Sequence, residues 1–234
     1  MNVRHLIPFA LIALLMAAFA SSQTYSSFPG GVTDSKTLRV QERVEELYLS
    51  GDYDRAYFIY RRELAPKGDK YAQYMIGYMH VTGAGVPEDP VAALAWYRLA
   101  AERGEPSIEL ARNELQVTLT AGQIAQANEQ FAELRGELSD RVLIYALVKD
   151  DLELLRDSTV RGSSTTSSNM LVIDRRGGYM SGDHYYQIIR NRLDARLSYL
   201  KSQVEIIDVA DAESSELAEI ESEIEALFAE IDKR

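Results

Sequence analysis

Apolar residues recur with the 3.6-residue period of an amphipathic helix from about residue 38 to residue 138. Turn signals interrupt this pattern roughly every 15 to 20 residues, a spacing that suits short antiparallel helices better than one long rod. One more amphipathic helix is predicted over residues 143–155. We therefore predict an all-α fold in which a helical solenoid occupies residues 38–157.

Self-similar pieces recur along this region. Ala56, Ala93 and Ala127 each stand a few residues before a pair that carries an aromatic ring, and the alanines are about 37 and 34 residues apart. Steps of this size are typical of solenoids built from helix-turn-helix repeats. The aromatic pairs are Ile59-Tyr60, Trp96-Tyr97 and Gln130-Phe131.

The central repeat carries the most specific motif. Residues 72–104 resemble a Sel1-like repeat, a relative of the tetratricopeptide repeat, and they depart from its pattern at His80, where tyrosine is usual. The resemblance implies an α-α solenoid and a role in binding other proteins, because members of this family are usually adaptors. The matching positions are Ala72, Tyr74, Ile76, Gly77, Met79, Gly83, Gly85, Val86, Asp89, Ala93, Trp96, Tyr97, Ala100, Ala101 and Gly104.

Physical chemistry gives several of these positions a structural role. Gly83 and Gly85 allow a turn with positive φ after a helix, and Asp89 can cap a following helix whose first turn contains Pro90. Ala93 and Ala101 lack bulk, so facing helices can approach closely. We expect Trp96 to fill the space between helix layers.

The chain changes character after the solenoid. Residues 158–182 are rich in Ser, Thr and Gly and are predicted to form a linker, in which the apolar run 170–173 is either a short strand or a docking segment. The acidic region 183–234 carries two apolar seams, which predict a coiled coil or a helical hairpin. Each seam requires a packing partner: its neighbour, the solenoid or a second copy of the chain. The seams are Ile189, Leu193, Leu197, Leu200, Val204 and Ile207, then Leu217, Ile220, Ile224, Leu227 and Ile231.

The N-terminus has the three-part layout of a secretory signal. Arg4 precedes an apolar run that ends at Ala18-Phe19-Ala20, and this run is shorter than the roughly 20 residues that span a bilayer. We predict a signal peptide over residues 1–20, cleaved after about Ala20, and a flexible leader over residues 21–37. The protein would then be periplasmic or secreted, without insertion in the membrane. Retention of the segment as an anchor is the alternative.

Charge and composition narrow the chemistry. The formal net charge of −11 disfavours nucleic acid and anionic lipid as partners. The absence of cysteine excludes disulfides and thiolate chemistry. His80 and His184 stand apart from any set of metal ligands, and Gly83-Ala84-Gly85 lacks the context of a phosphate-binding loop. The sequence predicts no enzyme, no cofactor and no metal.

Tyrosines provide the best indication of a binding surface. At about 100° per residue, Tyr71, Tyr74, Met75 and Tyr78 share one face of the helix that also carries the repeat core. This face either packs on the preceding repeat or lines a groove that captures a peptide.

Three functions are compatible with these patterns. We predict a non-enzymatic scaffold or adaptor of the bacterial envelope that binds proteins or peptides. The alternative is a periplasmic enzyme or sugar-processing accessory whose site lies in the C-terminal region, near Arg175, Arg176, Asp183 and His184. Self-assembly through the acidic helices is the third.

Overall fold

A computed structural model describes residues 35–160, 171–173, 179–207 and 211–233. The predicted signal peptide and nearly all of the predicted leader lie outside the described residues, except that the first helix already begins at Ser35. The described chain forms two compact units, which we call the repeat unit, ending at Asp140, and the C-terminal unit, starting at Arg141.

The repeat unit consists of three consecutive helix pairs, which confirms the predicted α-α fold. The pairs are α1 (Ser35–Leu49) with α2 (Tyr53–Ile59), α3 (Lys70–Thr82) with α4 (Pro90–Ala100), and α5 (Pro106–Gln116) with α6 (Ala121–Leu138). Helix α2 continues through a π turn, Tyr60–Leu64, and a 3₁₀ turn, Ala65–Lys67. A 3₁₀ turn, Ala101–Arg103, likewise extends α4.

Side-chain caps define where the helices of the central pair begin. The Asp69 carboxylate accepts a hydrogen bond from the Ala72 amide at 3.0 Å. Asp89 accepts bonds from the Val91 and Ala92 amides, also at 3.0 Å, and Pro90 occupies the first turn of α4 as predicted. These carboxylates satisfy amides that have no partner within the helix.

Two glycines of the central repeat are required by the backbone. Gly83 ends α3 with φ of 69°, a conformation that side-chain-bearing residues rarely adopt. Gly85 also has positive φ, and a Cβ atom placed there would lie 2.5 Å from the backbone of Tyr53. The turn between α3 and α4 therefore lies directly against the start of α2, which only glycine permits.

Small residues let the helices of the repeat unit approach closely. Ala56, Ala93 and Ala127 are all fully buried, which is consistent with the repeat register expected from their spacing. A Cβ atom at Gly77 would lie 2.6 Å from the Tyr97 ring, so α3 and α4 meet at this glycine. Trp96 is buried among the residues of the same core, as predicted.

The C-terminal unit is a second helical core. It contains α7 (Asp140–Val160), whose first residue still belongs to the repeat unit, α8 (Gly182–Ile207) and α9 (Asp211–Ile231). An antiparallel pair of short strands, β1 (Leu171–Ile173) and β2 (Tyr179–Ser181), completes it. The apolar run 170–173 is thus largely a strand, one of its two predicted forms. The rest of the predicted linker lies mostly outside the described residues.

Packing in this unit differs from the sequence prediction in two ways. Helix α7, which the sequence pattern places in the solenoid, packs on the seams of α8 and α9 through Ile144, Val148, Leu152 and Leu155. Phe228, which is absent from the predicted seam, is buried, whereas Leu227 of that seam is only half-buried. The Arg190 guanidinium lies 4.1 Å from the Phe228 ring centroid. The described parts of both seams are therefore covered within one chain. None of the described helices is long and apolar enough to cross a bilayer.

Candidate functional site on the central helix pair

The four residues predicted to bind a partner differ in how far their side chains are exposed. Tyr74 and Met75 are only 8% and 4% exposed, whereas Tyr71 and Tyr78 are half-buried. Met75 belongs to the core and offers too little surface to contact a partner. Tyr71 and Tyr78 keep part of their side chains accessible.

Tyr74 is held by the rings around it. It stacks on Tyr97 of α4 with ring centroids 5.2 Å apart and planes inclined by 14°, and it lies 6.5 Å from Tyr78. Tyr71 meets Tyr60 of the preceding pair edge-on at 6.3 Å. The face that carries these tyrosines thus also packs within the repeat unit. This agrees with the first of its two predicted roles, packing on the preceding repeat.

Helix α1 supplies two residues that sequence reasoning missed. The Tyr60 hydroxyl donates a hydrogen bond to Glu45 at 3.0 Å, and the Tyr71 hydroxyl also donates to Glu45. Tyr48 lies close enough to the Tyr78 hydroxyl for each to affect the pKa of the other. We define the tyrosine surface as the half-buried residues Glu45, Tyr48, Tyr71 and Tyr78 together with the buried Tyr74.

Burial dominates the electrostatics of this surface. Desolvation raises the pKa of Glu45, and Asp69 adds to the rise, while the hydrogen bonds from Tyr60 and Tyr71 oppose it. Desolvation also raises the pKa of Tyr74 to about 12, with further contributions from Tyr78, Glu114 and Glu105. The tyrosines therefore stay neutral at physiological pH and act as hydrogen-bonding groups.

His80 has a structural role at the edge of the same helix. Its Nε2 atom lies 3.2 Å from the Tyr57 hydroxyl, and the two rings meet edge-on. Burial lowers the pKa of His80, although Asp89 partly offsets the effect. The side chain is thus packed between two repeats in the aromatic slot that the repeat pattern assigns to it.

Glu45 is expected to reduce stability at neutral pH. An acid whose pKa is raised on folding binds its proton more tightly in the folded state, so stability falls as pH rises through the interval between its unfolded and folded pKa values. We predict that Glu45→Gln raises the melting temperature at pH 7, because a neutral amide oxygen can still accept the tyrosine hydrogen bonds. The gain should disappear below about pH 4, where the carboxyl is protonated in both states. Circular dichroism melts at both pH values measure this, and equal melting temperatures at pH 7 would contradict it.

The described residues bear on two kinds of catalytic site, a metal centre and the alternative C-terminal site. They contain no group of three or more His, Cys, Asp or Glu side chains that could hold a metal ion. Of the residues proposed for an alternative C-terminal site, Asp183 and His184 are exposed, whereas Arg175 and Arg176 lie outside the described residues. That alternative stays a prediction.

Comparison with known families agrees with the geometry of the central pair. Residues 70–105 match the family model of the Sel1 repeat, a segment that begins with α3 and ends just after α4 and its 3₁₀ turn. Sel1 repeats are commonly protein-interaction modules and are typically non-catalytic. No solved structure matches the chain. The chain therefore carries a Sel1-like repeat, and the tyrosine surface is formed by α3 of that repeat and by α1 beside it.

Proposed function

We propose that this protein is an exported, non-enzymatic scaffold of the bacterial cell envelope and that it binds a partner protein through the tyrosine surface. The observation that carries this proposal is the half-buried row of tyrosines on α3, inside the segment that matches a protein-interaction repeat. Tyrosine is enriched at the centres of protein interfaces because it combines a large apolar ring with a hydroxyl that can hydrogen-bond.

The rigidity of the surface favours binding. Tyr74 stacks on both Tyr78 and Tyr97, and Tyr71 meets the Tyr60 ring edge-on. A partner would therefore pay little side-chain entropy to order these rings. A stable interface needs more area than four side chains supply, so we expect α5 to extend it, since Glu105 and Glu114 lie near Tyr74.

Photo-crosslinking tests the surface in the cell. We predict that a benzoylphenylalanine placed at Tyr78 crosslinks to a defined partner band. The same residue at Phe58, an aromatic position that is 59% exposed on α2, serves as the matched control and should yield little of that band. Equal yields at both positions would remove the tyrosine surface as the binding site.

Export is supported by the signal-like pattern of residues 1–20 and needs a separate experiment. Cell fractionation should place the protein in the periplasm, and mass spectrometry should find a mature N-terminus near Ser21. An intact Met1 in the cytoplasmic fraction would contradict export while leaving the binding proposal in place.

The alternative of self-assembly loses its main motivation. The apolar seams of the acidic helices require a partner, and the described residues of these seams already pack against one another and against α7. A second copy is not needed to cover them.

A further inference from the structure

The tyrosine surface lies near carboxylates from two neighbouring helices. Glu45 of α1 accepts a hydrogen bond from Tyr60 at 3.0 Å, and Asp69 stands close enough to raise its pKa. Glu105, which caps α5, and Glu114 of α5 stand close enough to Tyr74 to raise the pKa of its hydroxyl. A ligand on the rings would thus meet negative charge from more than one helix.

Protein cations do not neutralise Glu45. In the part of the chain that the structure describes, no lysine or arginine forms an ion pair with it, and its hydrogen bonds come from two neutral hydroxyls. At about 100° per residue, Arg39 and Arg43 of α1 point roughly 120° and 160° away from Glu45. Both arginines are exposed on that other side of the helix.

We propose that the tyrosine surface binds a basic peptide segment of the partner, with a lysine or arginine side chain lying across the rings and pairing with Glu45. This inference rests on the proposed function and names the chemistry of the partner. The charge complementarity is direct, because a half-buried carboxylate without a cation gains a charge-assisted hydrogen bond when a cationic group docks. Tyrosine ring faces attract the same cation, and its apolar stem covers the ring edges.

The arrangement also explains why an unfavourable acid is placed here. Glu45 is desolvated, and none of the described lysines and arginines pairs with it to compensate for this, so it weakens the free protein. A bound lysine or arginine would remove that penalty. Binding sites commonly carry such groups, whose cost to the free protein is recovered in the complex.

Fixed-position peptide pools test the proposal on the full-length chain. Ten-residue peptides, acetylated and amidated at their ends, carry Lys, Arg, Gln or Glu at one central position, and the other positions are randomised without charged residues. Fluorescence anisotropy measures the dissociation constant of each pool at 50 and 300 mM salt. We expect the Lys and Arg pools to bind at least about tenfold more tightly than the Gln pool, with a smaller difference at high salt.

A pair of charge-matched variants assigns the effect to Glu45. Glu45→Gln should reduce the preference for Lys and Arg to less than about twofold, whereas Glu133→Gln, which removes an exposed acid on α6, should leave it unchanged. Because Glu45→Gln is expected to be at least as stable as the wild type, weaker binding cannot be attributed to unfolding.

Three outcomes would overturn the inference: equal binding of all four pools, no binding of any pool, or equal losses in Glu45→Gln and Glu133→Gln. The proposed function is judged separately by the crosslink from position 78. If the crosslink forms but all four peptide pools bind equally, the scaffold function stands and the basic partner is rejected. If the crosslink does not form, the tyrosine surface itself is rejected as the binding site.

Discussion

Replacing Trp96 by alanine is expected to lower the free energy of unfolding of the repeat unit by about 3–5 kcal/mol. The side chain is 4% exposed and belongs to the core that joins the helix pairs. Its removal leaves a cavity that the surrounding helices can close only partly, and the lost contacts add to the lost burial of apolar surface.

The neighbours of Trp96 make relaxation difficult. The Arg61 guanidinium lies 4.9 Å from the centroid of the indole ring, on the π turn that follows α2. The next residue of α4, Tyr97, packs against Gly77 of α3, where its ring occupies the space that a Cβ atom at Gly77 would need. This close contact limits how far α3 and α4 can shift to fill the cavity.

Urea denaturation followed by circular dichroism measures this loss. Fluorescence is unsuitable because Trp96 is the only tryptophan of the chain. Phe58→Ala is the matched control, since it removes an aromatic ring that is 59% exposed, and we expect it to change stability by less than about 1 kcal/mol. A loss below about 1 kcal/mol in Trp96→Ala would show that the indole is not part of the core.

Local patterns in the sequence predicted the central helix pair well. The cap at Asp89, the turn at Gly83 and the burial of Ala93 and Trp96 all depend on neighbours a few residues away or on a regular helical repeat. Such features are written in the spacing of residues along the chain, because a helix fixes which side chains share a face.

Features that depend on tertiary pairing were not predicted. Glu45 and Tyr48 contact α3 across more than twenty residues of sequence, and nothing in α1 alone distinguishes them from other polar positions on an amphipathic helix. The same reason explains α7, whose apolar face fits a solenoid pattern equally well but packs with α8 and α9. Periodicity identifies an apolar face and leaves its partner open.

A network of ion pairs in the repeat unit also depends on tertiary pairing. The Lys70 ammonium, 2% exposed, lies 2.8 Å from Glu102 and 3.0 Å from Asp140. Arg103 reaches both carboxylate oxygens of Asp140, at 2.7 and 3.0 Å, and also donates to the Gly68 carbonyl oxygen at 3.1 Å. These bonds join the start of α3, the end of α4 and the residue that follows α6 and Ser139. Asp140 accepts bonds from both cations.

The second large effect is therefore predicted for Asp140. We expect Asp140→Asn to lower the free energy of unfolding by about 3–5 kcal/mol, because it removes the carboxylate charge that pairs with the deeply buried Lys70 ammonium and with the Arg103 guanidinium. Lys70→Met should cost less, since Asp140 keeps its paired bonds with Arg103. The double variant should be less destabilised than the sum of the two single variants, because the charges act as one network.

The pH dependence of this loss distinguishes charge from shape. Burial alone would raise the pKa of Asp140, yet Lys70 and Arg103 together hold it below its ordinary value. The folded state thus favours the ionised carboxylate. Its contribution is fully present above the unfolded pKa of about 4 and is lost as pH falls through the lower, folded value. Urea titrations at pH 7 and pH 3 should therefore show a smaller difference between wild type and Asp140→Asn at pH 3. A difference that stays constant with pH would mean that the carboxylate acts through its packing and not through its charge.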